Sequence, residues 1–202
     1  MSETRRWTHP WADVVLDRDD GSIPVVAVPP APSDPAAVRG MFAQLPTGIA
    51  AICAEVDGTP QGMVATSLSV GASFAPPLAL LAVQRESRTW PRIAAAPRLG
   101  VSVLAEANAA AVRALASREG DRFAGVDIAR SREGAAFVRG ARLWLECRIV
   151  SEQELGDHRA IVLEVLGASS LAGASPLVYL AGRVLVAPDG APEEPEGEGA
   201  SA

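Results

Sequence analysis

Short apolar runs separated by turn residues dominate the pattern of the chain after residue 47. The runs GIAAICAEV and GMVATSLSV flank Asp57-Gly58, a dipeptide that tolerates the positive φ angles of a tight turn, so residues 48–70 are predicted to form a β-hairpin. LGVSVL is a further predicted strand. LALLAVQ is short and apolar on both faces, which is typical of a central strand.

The most regular alternation of apolar and polar residues lies in LWLECRIV, residues 143–150, and predicts a half-buried antiparallel strand. HRAIVLEVLGA is its predicted partner, and the two are joined through a turn at residues 155–157. PLVYL and RVLVA form a last predicted pair around Ala181-Gly182. The second half of the chain is therefore expected to consist mainly of strands that pair with their neighbours in sequence.

Helical signals are few and short. Asp34 can cap a helix and Pro35 suits its first position, so a helix is predicted from there to about Ala43. Two prolines restrict a second predicted helix to residues 89–96. The Ala and Leu content of EANAAAVRALASR predicts a third helix, and the stretch DRFAGVDIARSREGAAF that follows is predicted to be a polar loop.

Many strands, few helices and no regular strand–helix alternation predict a mainly β domain. Closing an antiparallel sheet on itself removes its exposed edges, so the predicted fold is a small β-barrel with peripheral short helices. The barrel domain is predicted to span residues 33–187, after an N-terminal arm and Pro-rich linker at residues 1–32. Residues 188–202 are acidic and poor in apolar side chains, which predicts a disordered tail.

Composition narrows the classes of function. The chain has 202 residues, 49% of them hydrophobic, which is enough for one sizeable core. The net charge of −6 comes mainly from the tail, and the 18 basic residues are scattered arginines, so nucleic-acid binding is not expected. No export signal, membrane span or metal site is predicted. The 2 cysteines lie in apolar or alternating runs, which predicts buried free thiols and a cytoplasmic location.

The signatures of four large enzyme classes are absent from the sequence. They are the GxGxxG dinucleotide fingerprint, the GxxxxGK[ST] phosphate loop, the GxSxG nucleophile elbow and the HExxH zinc motif. Asp157 and His158 are adjacent, but neighbours in sequence seldom give the geometry of a base and its orienting carboxylate. A hydrolytic triad is therefore disfavoured.

Three groups of side chains have the chemistry of a site for a phosphorylated ligand, since hydroxyls and guanidinium groups are the side chains that bind phosphate oxygens. They are Thr66, Ser67 and Ser69; Ser87, Arg88 and Thr89; and Arg122 with Phe123. Each group has a plainer alternative: the exposed face of a strand, a Thr helix cap beside a solvated arginine, and an ordinary surface loop. Together they favour a phosphorylated cofactor at the rim of the barrel.

The motifs occur in an order that resembles the flavin reductase family, whose fold is the FMN-binding split β-barrel with a Greek-key-like strand order. The segments that carry the resemblance are FAQLPTG, GMVATSLSVGASFAPPL, SRTWP, DRFAGV, WLECRIV, GDHRAIVLEV and PLVYLAGR. They span about residues 35–187, and GDH followed by an alternating strand and then YxxGR is their most specific part. The N-terminal arm has no counterpart in the family.

The resemblance implies a role for each matching residue. The residues that match the family's flavin-binding segments are Thr66, Ser67 and Ser69; the phosphate-binding turn Ser87, Arg88 and Thr89; the loop residues Arg122 and Phe123; and Pro46 and Thr47 beside the isoalloxazine ring. The residues that match its nicotinamide pocket are His158, Tyr179 and Arg183. Leu180 and Val184 stand where the family frequently has a histidine and an aromatic residue.

The resemblance also implies an activity. A member of this family is an NAD(P)H:flavin oxidoreductase that transfers a hydride from NADH or NADPH to FMN or FAD and supplies reduced flavin to a partner monooxygenase. It is a homodimer with each flavin site close to the subunit interface. Two alternatives stay open: a flavin-binding carrier or sensor without turnover, and a flavoprotein that reduces an organic substrate directly. The sequence decides neither FMN against FAD nor NADH against NADPH.

Overall fold

A computed structural model of the protein describes residues 28–117 and 119–188. The chain divides into two compact units, residues 1–41 and 42–202. Of the predicted arm, residues 1–27 lie outside the described residues, as does all of the predicted tail after residue 188. Helix α1, Pro35–Phe42, begins as predicted, because the Ala37 amide donates to the Asp34 carboxylate at 2.9 Å.

Most elements of the second unit are strands. They are β1 Thr47–Gly48, β2 Ala50–Val56, β3 Thr59–Ala65, β4 Ser69–Phe74, β5 Pro77–Gln84, β6 Leu99–Val103, β7 Ile128–Arg130, β8 Ala136–Val138, β9 Leu143–Leu155, β10 His158–Ser170, β11 Leu177–Leu180 and β12 Arg183–Val186. Two short helices, α2 Trp90–Ala94 and α3 Ala109–Ala116, and one 3₁₀ turn, Glu106–Asn108, complete the unit. No helix within the described ranges is both long and apolar enough to cross a membrane.

Seven strands form one antiparallel sheet in the order β3-β2-β6-β9-β10-β5-β4. Every strand of this sheet except β4 contributes side chains to one buried cluster, which includes Ile52 from β2, Leu81 from β5 and Ile161 from β10. Because strands from opposite ends of the order share one core, the sheet is rolled rather than flat. The prediction of a mainly β, barrel-like domain with short peripheral helices is confirmed.

A second cluster lies on the other face of β2. Ala51 and Cys53 point into it together with Leu115 of α3, Val138 of β8 and Leu177 of β11. Strand β2 is therefore buried on both faces. LALLAVQ forms β5, which lies between β10 and β4, so the prediction of a central strand is confirmed. Its inner residues are buried, whereas no described element covers its outer face, where Leu80 is 41% exposed.

The first hairpin is confirmed but is shorter than predicted. Asp57 and Gly58 have φ angles of 51° and 72°, the positive values that a tight two-residue turn requires. The hairpin ends at Ala65, since residues 69–74 form β4, which pairs with β5 instead. The later pairs agree with the prediction: β9 and β10 meet at residues 155–158, and β11 and β12 join through a turn with positive φ angles at residues 181 and 182.

The stretch predicted to be a polar loop contains a small two-stranded sheet, β7 and β8, which the sequence pattern did not reveal. Strand β8 crosses β6 closely at Gly100, where an added Cβ would lie 2.0 Å from the carbonyl oxygen of Ala136. The amide of Val138 donates to the buried hydroxyl of Ser102 at 3.0 Å. A strand of three residues is too short to show a period of two, so its burial, and not its pattern, identifies it.

Candidate functional site

A cavity of about 650 Å³ lies beside the C-terminal ends of β3 and β5 and the last residues of α3. It gathers residues from all three predicted groups, Thr66, Ser67, Ser87, Arg88, Thr89 and Arg122, and also His158. Its other walls comprise apolar residues of β3, β5 and α3 together with Gln84 and the carboxylate of Glu86. Residues up to 92 positions apart in sequence therefore meet at one rim of the sheet, as the hypothesis of a single site requires.

The hydroxyl segment is held in place by the neighbouring strand. Thr66 and Ser67 follow the last residue of β3 directly, and the Ser67 hydroxyl donates to the carbonyl oxygen of Ala82 in β5 at 2.7 Å. This bond uses the hydroxyl proton and leaves the oxygen able to accept a bond from a ligand. Ser69, the third hydroxyl of the predicted group, lies in β4 opposite Leu80 and does not line the cavity.

The corner before α2 has a different hydrogen-bond pattern from the one that the sequence suggested. The hydroxyl of Ser87, and not that of Thr89, caps α2: it accepts from the Trp90 amide at 3.1 Å. Pro91 has no amide proton to offer. Because these two first positions have no free N–H group, the affinity of this corner for an anion must come mainly from side chains and not from the helix terminus.

Two guanidinium groups supply the positive charge of the cavity. Arg122 donates from Nη1 to the Thr89 hydroxyl at 2.7 Å and to the carbonyl oxygen of Gly62 at 3.3 Å. Arg88 is exposed and makes no hydrogen bond or ion pair with the part of the chain that the structure describes. Neither arginine is paired with a carboxylate among the described residues, so both charges remain available to a phosphate.

His158 lines the same cavity, at the first position of β10 and opposite Gln84 of β5. Its Nδ1 is 2.7 Å from the carboxylate oxygen Oδ1 of Asp157, and its side chain is 36% exposed. A carboxylate accepts hydrogen bonds, so this contact places a proton on Nδ1 and, in the neutral ring, leaves Nε2 as an acceptor. The adjacent acidic residue thus orients the imidazole.

The remaining predicted residues lie outside this cavity. Pro46 immediately precedes β1, whose Thr47 is opposite Tyr179 of β11, and Arg183 in β12 is opposite Leu180. Thr47, Tyr179 and Arg183 belong to the small three-stranded sheet β1-β11-β12, and Pro46 directly precedes it in sequence. The structure brings them together with one another, but not with the residues that line the cavity.

A second cavity of about 390 Å³ adjoins the first and shares Arg88, Thr89 and Arg122 with it. Phe123 lines this second cavity and not the first, and its ring lies against Gly62 of β3. Arg92 of α2 adds a third guanidinium group. Arg92 was not among the predicted site residues, and its only signal in the sequence is that it is a second arginine four positions after Arg88.

The cysteines take no part in the site. Cys53 and Cys147 are free and buried, as predicted. Burial raises the pKa of the Cys53 thiol to about 12, and burial together with the nearby Glu146 carboxylate raises the pKa of Cys147 to about 12. Both remain protonated and unreactive near neutral pH.

A rolled β-sheet that carries a cationic, hydroxyl-lined cavity at its rim defines a class, the barrel proteins that bind phosphorylated ligands. Comparison with known sequences narrows the class. The family described as "Flavin reductase like domain" matches residues 42–186, and the chain therefore belongs to the flavin reductase family. The resemblance inferred from the motifs is confirmed.

Individual relatives agree with this assignment. The chain is 32% identical over 143 residues to HsaB, the reductase subunit of a flavin-dependent monooxygenase from Mycobacterium tuberculosis, covering 71% of this chain and 76% of the relative. It is 33% identical over 167 residues to the FMN reductase (NADH) RutF 2 of Methylorubrum extorquens, covering 78% of this chain and 96% of the relative. Among solved structures, the NADH:FAD oxidoreductase SgcE6 of Streptomyces globisporus, in complex with NAD and FAD fragments, matches with a TM-score of 0.74 and 32% identity, over 82% of this chain and 100% of that one. The split-barrel fold is confirmed with it.

Proposed function

We propose that this protein is an NAD(P)H-dependent flavin reductase that transfers a hydride to FMN or FAD and supplies the reduced flavin to a partner monooxygenase. The observation that carries the proposal is the 650 Å³ cavity, in which hydroxyls, two arginines without carboxylate partners and an oriented histidine line one space. The family supports the oxidoreductase class, and reductase subunits of monooxygenases among the relatives support the partner.

The residues present fit a flavin nucleotide. Arg88 and Arg122 would hold its phosphate, because guanidinium groups bind phosphate oxygens with charge-assisted hydrogen bonds. Thr66 and Ser67 would bind the polar atoms between phosphate and ring. The hydrogen bond from Ser67 to Ala82 fixes the hydroxyl segment, and the bond from Arg122 to Thr89 fixes the guanidinium group. Both side chains are therefore held in place before a ligand binds.

His158 lines the same cavity and, by the family resemblance, is assigned to the nicotinamide nucleotide. The nicotinamide and the flavin would supply the chemistry, the transfer of a hydride from C4 of the nicotinamide to N5 of the flavin. This transfer needs no strong acid or base from the protein. The role left to the chain is to hold the two rings close and to keep water away. His158 would contribute by binding the nicotinamide nucleotide through Nε2, while Asp157 holds the ring by Nδ1.

The decisive experiment for the reaction follows NADH and NADPH absorbance with purified protein and catalytic amounts of FMN or FAD in air. We expect nicotinamide oxidation that depends on added free flavin, because reduced flavin leaves and is reoxidised. A yellow protein as purified that consumes no NADH when flavin is added would instead show a carrier or sensor. Nicotinamide oxidation that requires an organic acceptor would show a flavoprotein that reduces that substrate directly.

Replacing His158 by alanine tests the nicotinamide side of the site. We expect the KM for NADH to rise about tenfold, the effect of one lost hydrogen bond to a ligand, while the Kd for flavin changes less than about twofold. Steady-state kinetics and flavin titration give the two constants. Gln153→Ala in the exposed part of β9 is a matched control that lines neither cavity. A larger effect on flavin binding than on KM would remove His158 from the nicotinamide site.

We further propose that the protein is a homodimer in the reducing environment of the cytoplasm. Leu80 of β5 and Leu166 of β10 are exposed apolar side chains on adjacent strands and support a subunit interface there. The two buried free thiols support the compartment. Sedimentation equilibrium should give twice the chain mass of 20.9 kDa, and a mass of one chain at micromolar concentration would contradict the dimer.

A further inference from the structure

We propose that the second cavity, of about 390 Å³, binds the adenylate half of FAD, so that this reductase uses FAD in preference to FMN. The inference rests on the proposed function, because it extends the flavin site from the first cavity into the second. FMN ends at its single phosphate, whereas FAD continues from that phosphate through a second one to adenosine. A preference for FAD therefore needs a second binding space directly beyond the phosphate.

The position of the second cavity meets that need. The two cavities have Arg88, Thr89 and Arg122 in common, and these are the residues assigned to the flavin phosphate. A pyrophosphate that links the two halves of FAD would pass between those side chains. Arg122 is already fixed there by its bonds to Thr89 and to the Gly62 carbonyl, so little conformational entropy is lost when it binds.

The charge of the second cavity also suits a second phosphate. Three arginines, Arg88, Arg92 and Arg122, line it, and its one carboxylate, Asp121, accepts a hydrogen bond from the Phe123 amide at 2.8 Å. Arg92 is exposed and has no ion-pair partner within residues 28–117 and 119–188. The excess of positive charge favours an anion with more than one negative group.

The remaining walls can accommodate a purine. Phe123 and Pro60 are partly buried and line the second cavity, which offers an aromatic and an aliphatic surface for a flat base. A volume of about 390 Å³ is within the range of small-molecule pockets.

Arg92→Ala tests the inference, because Arg92 lines the second cavity and does not line the first. Titrations of the full chain with FMN and with FAD should show tighter binding of FAD by the unmodified protein. We expect Arg92→Ala to raise the Kd for FAD about tenfold, as for a lost charge-assisted bond, and to leave the Kd for FMN within about twofold. Arg113→Ala, an exposed arginine of α3 that lines neither cavity, is the matched control and should change neither constant.

Other outcomes separate the alternatives. Equal weakening of FMN and FAD would place Arg92 at the common phosphate, and unchanged FAD binding would exclude the second cavity as the adenylate site. A change confined to the KM for NADPH, with NADH and FAD unaffected, would assign Arg92 to the 2′-phosphate. Each of these three results overturns the inference. Turnover is measured separately: a selective loss of FAD affinity without any nicotinamide oxidation would retain the subsite and refute the reductase.

Discussion

Replacing Gly100 by alanine is expected to lower the free energy of unfolding by about 3 kcal/mol or more, at the upper end of what overpacking costs. The new Cβ would lie 2.0 Å from the carbonyl oxygen and 2.6 Å from the carbonyl carbon of Ala136. Those atoms belong to the backbone of β8, so no side-chain rotation relieves the overlap. Strand β8 must move away from β6, and the hydrogen bond from Val138 to Ser102 is expected to break with it.

Urea denaturation followed by circular dichroism measures this loss. Gly48→Ala in β1 is the matched control, since a Cβ at Gly48 has no heavy atom within 4 Å among the described residues and should change the midpoint little. If Gly100→Ala unfolds at the same urea concentration as the control, the close approach of β6 and β8 is not present in solution.

Replacing Arg88 by alanine should weaken the binding of FMN and of FAD alike by about 1 to 3 kcal/mol, which corresponds to about a 5- to 150-fold rise in Kd. FMN and FAD both contain the phosphate that Arg88 is assigned to bind, so the Kd of each is expected to rise. This outcome differs from that of Arg92→Ala, which is expected to affect FAD alone.

Fluorescence titration gives both constants for the Arg88 variant. Arg98→Ala is a suitable control, because the Arg98 guanidinium donates to its neighbour Pro97 and lines neither cavity. Arg88→Lys retains the charge but not the planar fork, and is expected to recover part of the affinity. Unchanged flavin binding in Arg88→Ala, with the fold intact, would withdraw Arg88 from the phosphate site.

Local chemistry explains which parts of the fold could be predicted from the sequence. Asp57-Gly58 and Ala181-Gly182 revealed two hairpins, because the residues that permit positive φ angles are few and the turn decides the pairing of the strands beside it. The cap of α1 was equally predictable, since Asp34 needs only the amide three positions ahead. Where the structure depends on neighbours in sequence, the prediction and the structure agree.

The sequence pattern does not reveal structure that depends on contacts between segments far apart in the chain. Gly100 resembles any glycine in a strand, and nothing near it in sequence reveals that β8 crosses there. The outer face of β5 is as apolar as a buried one, although no described element covers it. In each case the missing information is a tertiary contact and not a local preference.

The candidate site shows the same limit. The three polar groups were recognisable as phosphate-binding chemistry, but their meeting depends on Arg122 reaching Thr89 across 33 positions. Thr89 has a helical backbone conformation and its hydroxyl accepts from Arg122, whereas the hydroxyl of Ser87 accepts from the Trp90 amide. The roles of Pro46, Thr47, Tyr179 and Arg183 stay predictions, since they lie together on another sheet.

Two arginines that line one cavity without carboxylate partners make the free protein less stable than it is with an anion bound. A ligand that binds only the folded chain stabilises it by about 2.7 kcal/mol when its concentration is 100 times its Kd. We expect bound flavin to protect the reductase from proteolysis, so that a shortage of flavin would lower its abundance before any change in its synthesis.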